Sequence, residues 1–331
     1  AAAQARCKDA GMAVGLVKDL AVGVHPNGAD GWSRQGVLAP GIEVGAPPDY
    51  FNQVGQSWSQ PPWRPDALAE TGYSAYRSML RAVLASAGAL RMDHILGLTR
   101  LWWIPQGMGP AAGTYVTYDQ EAMVSILVLE AQRAGAVVIG EDLGVIPPGL
   151  REYLGSRGLL GNSIVWFEKA EDGTSLLEPE RYRRLAMTAI TSHDLPPTAA
   201  YLTGEHINQR EQMGLLDTPP AQAKDAARHE RAQMVELLLD RGLIDPAHQD
   251  DVTEVVKAMH RLLRQVPSVM LGVSLADMVG ERRTQNLPGT DREYPNWSVP
   301  LADAEGQPVL IEDLDLNPVF RGITEVMRGS R

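Results

Sequence analysis

The sequence has a single cysteine, few aromatic residues and no long apolar run. One cysteine, Cys7, cannot form an internal disulfide, so the chain shows no sign of the disulfide framework of a secreted protein. Cys7 lies among small residues at helical spacing, where we expect a buried thiol. A stretch of about 18 apolar residues is absent, as is a basic segment followed by an apolar one at the N-terminus. These absences predict a soluble cytoplasmic protein without a membrane span or signal peptide.

Positive charge is also in short supply. The chain has 30 Lys and Arg against 41 Asp and Glu, a net charge of -11. Nucleic acid would be repelled by most of such a surface, so a polyanionic partner is not expected. The 331 residues are 44% hydrophobic and 21% charged, an ordinary globular composition for one large domain or two small ones.

Short apolar runs alternate with amphipathic stretches along the chain. Helices are predicted at about 73–87, 121–134, 148–155 and 179–184. The strand candidates are MAVGLVKD, ALRMD, AVVIGED, NSIVWFE, LAMTAITSHD and the apolar segment SVMLGVSLADMVG. Strands that alternate with helices indicate an α/β fold with a parallel sheet, either a barrel or a doubly wound sheet.

Two segments interrupt this alternation. Residues 24–72 are rich in Gly, Pro and aromatics, and we expect an ordered excursion over one end of the sheet. Residues 203–262 are charged with helical periodicity, which indicates a helical insertion. We predict that both lie within one domain spanning 1–331. The first residues, AAAQARCKDAG, have the composition of a helix already under way, so the chain is expected to begin inside an element.

Three strand candidates carry an acid at their carboxyl end. Asp93 ends ALRMD, Glu141 ends AVVIGED together with Asp142, and Asp194 ends LAMTAITSHD. A single acid in such a place is often a helix N-cap or a surface residue. In a parallel barrel, however, the carboxyl ends of the strands carry the reactive groups. The flanking Arg91, His94 and His193 strengthen the interpretation of these acids as a site.

Paired carboxylates suit retaining glycosyl transfer, in which one attacks the anomeric carbon and the other protonates the leaving oxygen. Arg91 would keep Asp93 ionised, which makes Asp93 the better nucleophile. Glu141, on the next predicted strand, would keep its proton beside an ionised Asp93 and act as the acid. Asp194 would bind sugar hydroxyls and favour the positive charge of the transition state.

Other site chemistries fit the sequence less well. His94 and His193 lack the spacing and the third ligand of a metal site, and no cysteine cluster is present. The segment GEDLGVIPPG has neither a Walker lysine nor GxGxxG spacing, which disfavours a doubly wound nucleotide-binding protein. We therefore predict no metal and no cofactor.

At these motifs the chain resembles a known family. RMDHILGLTRLWWIP, GEDLGVIPP, TSHDLPPTAAY and GAPPDYFNQVGQSW together are similar to the amylomaltases, 4-α-glucanotransferases related to the α-amylases. The resemblance implies a (β/α)8 TIM barrel and the same roles for Asp93, Glu141 and Asp194. It places MAVGLVKD as the third strand, so the barrel is expected to be incomplete, with strands three to eight and a missing N-terminal barrel segment as a partner.

The resemblance also implies residues that bind the sugar. GAPPDYFNQVGQSW resembles the loop that covers the acceptor side of the groove, which makes Asp49, Tyr50, Gln56 and Trp58 expected contacts. Arg91, His94 and His193 join them, as does Asn286 in the motif QNLPGT. For Trp58 the sequence favours sugar binding and loop packing equally. Core packing accounts for at least one of Trp102 and Trp103.

Transfer and hydrolysis share one covalent intermediate and differ in whether a sugar hydroxyl or water resolves it. An aromatic loop over the groove would exclude water and position an acceptor, so the resemblance favours transfer between α-1,4-glucan donors and acceptors. Two alternatives stay open at this point. The chain could be an α-glucan hydrolase, or a catalytically incompetent fragment that keeps only the residues of the glucan site.

Overall fold

The structure is a computed structural model that describes residues 1–48, 55–216, 218–290 and 292–329. The chain forms two compact units, Ala1–Asn162 and Ser163–Arg331. The strands are β1 (Val17–Leu20), β2 (Ile42–Ala46), β3 (Gln56–Ser57), β4 (Ala89–Met92), β5 (Arg100–Pro105), β6 (Thr114–Thr117), β7 (Val137–Gly140), β8 (Gly161–Ile164), β9 (Ala186–Ala189) and β10 (Met270–Gly272). The helices are α1 (Ala2–Asp9), α2 (Ala29–Ser33), α3 (Pro65–Glu70), α4 (Ser74–Leu84), α5 (Gln120–Ala134), α6 (Leu150–Ser156), α7 (Thr198–Thr203), α8 (Glu205–Gln212), α9 (Pro220–Asp240), α10 (Val252–Leu263), α11 (Leu275–Val279) and α12 (Pro318–Arg328).

A parallel sheet of the order β1-β4-β7 forms the centre of the first unit. Every residue of the middle strand β4 is buried, which explains why Ala89, Leu90 and Met92 are apolar without alternation; Arg91 is the charged exception. Met92, at the end of β4, pairs with Leu20 on one side and Gly140 on the other. The carboxyl ends of the three strands are therefore level, and the residues that follow them emerge side by side.

Helices α4 and α5 pack against each other and contribute to the core of this unit. Tyr76, Leu80 and Leu84 of α4 are buried and four residues apart, so they share one helix face. The side chain of Asp119 caps α5 by accepting a hydrogen bond from the Ala122 N–H at 3.0 Å. Gly135 ends α5 at a φ of 63°, the left-handed conformation of a helix C-terminus. The helices predicted at 73–87 and 121–134 are confirmed.

An antiparallel sheet of the order β3-β2-β5-β6 accompanies the parallel one. This sheet was not predicted, because 24–72 was expected to be an ordered excursion over one end of the sheet and no strand was assigned to RLWWIP. Gly45 of β2 allows the sheet to form, since a Cβ there would lie 1.9 Å from the carbonyl oxygen of Gln56. The close approach of these strands positions Gln56, one of the expected sugar contacts.

The second unit combines a small sheet with the helices α7 to α12. Its strand order is β10-β9-β8, and Met187 of β9 pairs in parallel with Met270 of β10. The charged region 203–262 contains α8, α9 and α10, so its helical prediction is confirmed. Helix α10 is largely buried and packs against α7 and α12.

Three local expectations are wrong. Residues 179–184 form a single 3-10 turn at Pro179–Arg181 instead of a helix, because Tyr182 continues in an extended conformation with its side chain buried. Strand β9 ends at Ala189, so Asp194 lies in the segment between β9 and α7 and does not end a strand. Cys7 is half-buried on α1, a helix without buried residues. None of the helices in the described residues is long and apolar enough to cross a membrane.

Candidate active site

Asp93 and Glu141 lie at the level carboxyl ends of the parallel sheet in the first unit. Asp93 directly follows β4, and its N–H donates to the carbonyl oxygen of Leu20 at 2.9 Å. Glu141 directly follows β7, and its N–H donates to the carbonyl oxygen of Met92 at 2.9 Å. The backbone ladder thus continues one residue beyond the strands and places the two acids on adjacent strand ends. The strands that precede Asp93 and Glu141 are neighbours in the sheet, as the sequence predicted.

Arg91 supplies the positive charge of this cluster. Its Nη1 lies 3.1 Å from Oδ1 of Asp93 and 2.7 Å from Oδ1 of Asp19. Burial opposes the charge on Arg91, but the hydrogen bond to Asp19 and the charges of Asp19, Asp93 and Glu141 outweigh it and raise the pKa of the guanidinium. Arg91 therefore stays charged beside Asp93. Asp19 is a member of this cluster that the sequence analysis missed, although an acid at the end of the strand MAVGLVKD was a usable signal.

Glu141 is held through both of its carboxyl oxygens. Oε2 accepts a hydrogen bond from the N–H of His94 at 3.0 Å, and Oε1 accepts one from the N–H of Leu143 at 2.7 Å. Burial is the main cause that raises the pKa of Glu141, and the charge of Asp93 adds to it. The two N–H groups and Arg91 act in the opposite direction but do not cancel the rise. A carboxyl with a raised pKa, such as Glu141, suits an acid. A carboxylate paired with arginine, such as Asp93, suits a nucleophile.

His94 connects the acids to two of the expected sugar contacts. Its backbone has a φ of 45°, a left-handed conformation that directs the N–H to Glu141. Its ring meets Trp58 edge to face, with centroids 5.4 Å apart, and Nε1 of Trp58 donates to Oε1 of Gln56 at 3.0 Å. Burial, followed by the charge of Arg100, lowers the pKa of His94 to about 4, so the imidazole is neutral near pH 7.

The charge of Arg91 has a consequence for pH dependence. Because that charge lowers the pKa of Glu141, replacing Arg91 with methionine should raise this pKa further. In the role that the sequence predicts for Glu141, that of a general acid, only the protonated form works, so the alkaline limb of kcat/KM should move to higher pH, while kcat falls because Asp93 loses its partner. A pH–rate profile on maltotriose, a substrate of the class that the resemblance implies, measures both effects. The matched variant Arg91→Lys retains the charge and should leave the limb in place; an unmoved limb in Arg91→Met would contradict this account.

Of the remaining residues predicted for the site in the first unit, two are not described and two have packing roles. Asp49 and Tyr50 lie outside the described residues. Trp102 donates its Nε1 to the carbonyl oxygen of Pro110 at 2.9 Å, and Trp103 packs against the hydrophobic core. Both tryptophans thus have packing roles within the unit.

Asp142, the neighbour of Glu141, has a structural role. Its Oδ2 accepts a hydrogen bond from Nε of Arg151 at 3.1 Å, and its Oδ1 accepts one from the N–H of Asn162 at 2.8 Å. The residue is buried. A buried carboxylate with these partners ties the segment after β7 to α6 and to the start of β8.

The second unit brings His193, Asp194 and Asn286 together. Nε2 of His193 lies 3.0 Å from Oδ2 of Asp194, and Nδ2 of Asn286 donates to Oδ1 of Asp194 at 2.6 Å. The N–H of Asn286 also donates to the carbonyl oxygen of His193 at 3.2 Å. Each oxygen of Asp194 therefore has a predicted site residue beside it, and roughly a third of its side chain remains exposed, at 34%.

A buried carboxylate that the sequence analysis missed supports the segment carrying Asp194. Asp277 on α11 accepts hydrogen bonds from the N–H of Thr198 at 2.7 Å and from its Oγ1 at 2.6 Å. These bonds satisfy a donor at the first turn of α7, the helix that follows Asp194. No sequence signal pointed to Asp277, because its partner is 79 residues away. In the part of the chain that the structure describes, no group of three or more His, Cys, Asp or Glu is arranged to hold a metal ion.

Comparison with known proteins identifies the family. A family profile described as 4-alpha-glucanotransferase matches residues 1–305. The chain belongs to the 4-alpha-glucanotransferase family. The resemblance to amylomaltases that the motifs predicted is confirmed.

Relatives and solved structures agree with this assignment. The 4-alpha-glucanotransferase of Mycobacterium tuberculosis H37Rv is 52% identical over all of this chain, which covers 46% of that protein. The one from Haemophilus influenzae is 32% identical over 91% of the chain, covering 44% of that protein. The crystal structure of amylomaltase from Corynebacterium glutamicum superimposes with a TM-score of 0.94 at 47% identity, covering 98% of this chain and 48% of that one.

A more distant structure shows the fold alone. Amylomaltase from Streptococcus agalactiae, solved in complex with acarbose, is 18% identical and has a TM-score of 0.72, covering 94% of this chain and 56% of that one. The mixed α/β fold of the amylomaltases is therefore shared by this chain. The chain spans about half the length of the curated relatives it matches.

Proposed function

We propose that this chain carries the catalytic groups of a 4-α-glucanotransferase that moves α-1,4-glucan segments between maltodextrins. One observation carries the proposal: Asp93, paired with the charged Arg91, lies on the strand end next to Glu141, whose pKa is raised by burial. Ionised and protonated carboxyls on adjacent strand ends are what a retaining double displacement needs. Membership of the 4-alpha-glucanotransferase family supports the same chemistry.

In the first step Glu141 donates its proton to the glycosidic oxygen while a carboxylate oxygen of Asp93 attacks the anomeric carbon. The bond to the leaving glucan breaks, and a covalent glycosyl-enzyme forms. In the second step Glu141, now ionised, takes the proton from the 4-hydroxyl of an acceptor glucan, whose oxygen attacks the same carbon and releases Asp93. Two inversions at the anomeric carbon retain its configuration.

The role of Asp194 rests on its motif and on its own surroundings. With its oxygens beside His193 and Asn286, Asp194 is arranged as a hydrogen-bonding carboxylate. We propose that it binds sugar hydroxyls and favours the positive charge that develops at the anomeric carbon. His193 and Asn286 would then orient Asp194 and contact the same sugar.

We also propose that the parallel strands of each unit belong to a (β/α)8 barrel, in the third to eighth positions that the resemblance gives them. The parallel registers of β1, β4 and β7 and of β9 and β10 support this. So does the position of Asp93 and Glu141 at the carboxyl ends of strands, the face that carries the active site in such barrels.

Transfer is favoured over hydrolysis by the residues near His94. Gln56 and Trp58 belong to the motif that resembles the acceptor loop. Trp58 contacts His94, whose N–H donates a hydrogen bond to Glu141. An aromatic and an amide at that place suit an acceptor sugar, which competes with water for the covalent intermediate. We propose donor and acceptor maltodextrins as the partners of this site.

Product analysis on maltotriose tests the function. Transfer should give glucose together with a ladder of longer maltodextrins, because each transfer shortens one chain and lengthens another. Glucose and maltose without any elongation would show a hydrolase instead. The absence of any product would support the alternative that the chain on its own is catalytically incompetent.

A further inference from the structure

Trp297 combines unusual exposure with an unusual backbone conformation. Its side chain is 65% exposed, and its φ of 61° lies in the left-handed region. A bulky side chain rarely adopts that conformation, because it is sterically strained. An indole that stays in solvent contributes little burial in return. Strain of this kind without a packing gain is typical of residues that have a function.

The surrounding loop is built to hold Trp297 in this conformation. The N–H of Trp297 donates to the carbonyl oxygen of Gln285 at 2.9 Å. The N–H of Leu287 donates to Oδ1 of Asn296 at 2.8 Å, and Nδ2 of Asn296 donates to Oγ1 of Thr290 at 2.9 Å. These bonds join the segment that carries Trp297 to Gln285, Leu287 and Thr290, and none of them requires the indole to be buried.

The same loop places Trp297 beside the second cluster of site residues. The centroid of its ring lies 5.1 Å from that of His193, with the two planes tilted by 47°. His193 in turn contacts Asp194, and Asn286 at the start of the loop donates to the other oxygen of Asp194. A single imidazole ring therefore separates the exposed indole from the carboxylate of Asp194.

Aromatic faces stack on the apolar C–H faces of pyranose rings, and this is how an exposed indole beside hydrogen-bonding groups recognises a sugar. Trp58 in the first unit also contacts a histidine, His94, but it packs against the hydrophobic core and donates its Nε1 to Gln56. Trp297 is considerably more available. At 65% exposure its side chain remains largely open to a ligand despite the contact with His193.

We propose that Trp297 is a sugar-stacking residue, which binds one glucose unit of the glucan next to Asp194. The inference rests on the proposed function and extends it by a contact that the catalytic motifs do not include. It assigns the role of the loop as well: Asn286 and Trp297, at its two ends, bring a polar and an apolar contact to the same sugar.

The test is calorimetric titration with maltoheptaose in an Asp93→Asn background, which prevents turnover. Trp297→Gly should weaken binding by about tenfold, equivalent to about 1.4 kcal/mol. Trp297→Tyr retains an aromatic face and should bind within about threefold of the parent, or about 0.6 kcal/mol. Trp32, another tryptophan exposed at 76%, provides the control: Trp32→Ala should bind like the parent.

Thermal unfolding distinguishes a lost contact from a lost fold. Glycine adopts a φ of 61° without strain, so Trp297→Gly should unfold at the same temperature as the parent or higher. Unchanged maltoheptaose affinity in Trp297→Gly would overturn the inference and leave the proposed function intact. Equal losses in Trp297→Gly and Trp297→Tyr would overturn it too, since stacking needs only an aromatic face. Failure of the unsubstituted chain to bind maltoheptaose or to elongate maltotriose would instead overturn the proposed function.

Discussion

Replacing Asp93 with asparagine is expected to lower kcat for maltotriose disproportionation by at least about 10⁴-fold, the scale seen when a nucleophile is removed from a covalent mechanism. The amide keeps the size of the side chain but cannot form the glycosyl ester, so the first step has no route. Product formation measured by chromatography of maltodextrins checks the loss. Mass spectrometry of the protein after reaction with a fluorinated maltosyl donor should show an adduct on the peptide with Asp93 in the parent and none in the variant.

Asp19 provides a matched control for this experiment. Its carboxylate contacts the same atom of Arg91 as Asp93 does, at 2.7 Å against 3.1 Å. Asp19→Asn removes one negative charge from Arg91 without removing the proposed nucleophile, so it should leave an active enzyme that still forms the adduct. If Asp93→Asn turned over maltotriose at the rate of Asp19→Asn, Asp93 would lose its assigned role.

Replacing Glu141 with glutamine is expected to lower kcat/KM for maltotriose by about 10²–10⁴-fold, the usual contribution of a general acid. A second donor distinguishes the loss of acid catalysis from a general distortion of the site. Fluoride leaves without a proton, so α-maltosyl fluoride should restore the first step in Glu141→Gln, and the covalent intermediate should accumulate because no base activates the acceptor. Rapid quench of fluoride release gives the rate of that first step.

α-Maltosyl fluoride should not restore the first step in Asp93→Asn, since the group that this variant lacks is the nucleophile. With the parent enzyme, maltosyl fluoride should also remove the requirement for a protonated Glu141 in the first step. The fall in rate that maltotriose should show as pH rises through the elevated pKa of Glu141 should therefore be absent from the rate of fluoride release. Unchanged maltotriose activity in Glu141→Gln would exclude Glu141 as the acid, and a failure of the fluoride donor to restore the first step would point to a distorted site.

Local patterns in the sequence predicted the elements that depend on near neighbours. The face of α4 and the ends of α5 follow from apolar spacing, a capping aspartate and a terminal glycine, all within one helix. The antiparallel sheet was missed because RLWWIP pairs with β2, 57 to 63 residues earlier, and nothing within either segment specifies the other. The short strand β9 was overestimated for the same reason, since its neighbours β8 and β10 determine where its pairing ends.

The sequence by itself determined the family to which the chain belongs and predicted which acids carry the chemistry, because motif order and residue type are properties of the chain alone. It also determined that Asp93 and Glu141 follow buried strands, since apolar runs before each acid require burial. The tertiary structure decided their electrostatics. Burial and the charge of Asp93 raise the pKa of Glu141, against the N–H of His94, 47 residues away, and the charge of Arg91. Only folding brings these groups together, because their effect on the pKa depends on their distance in space and not on their separation along the chain.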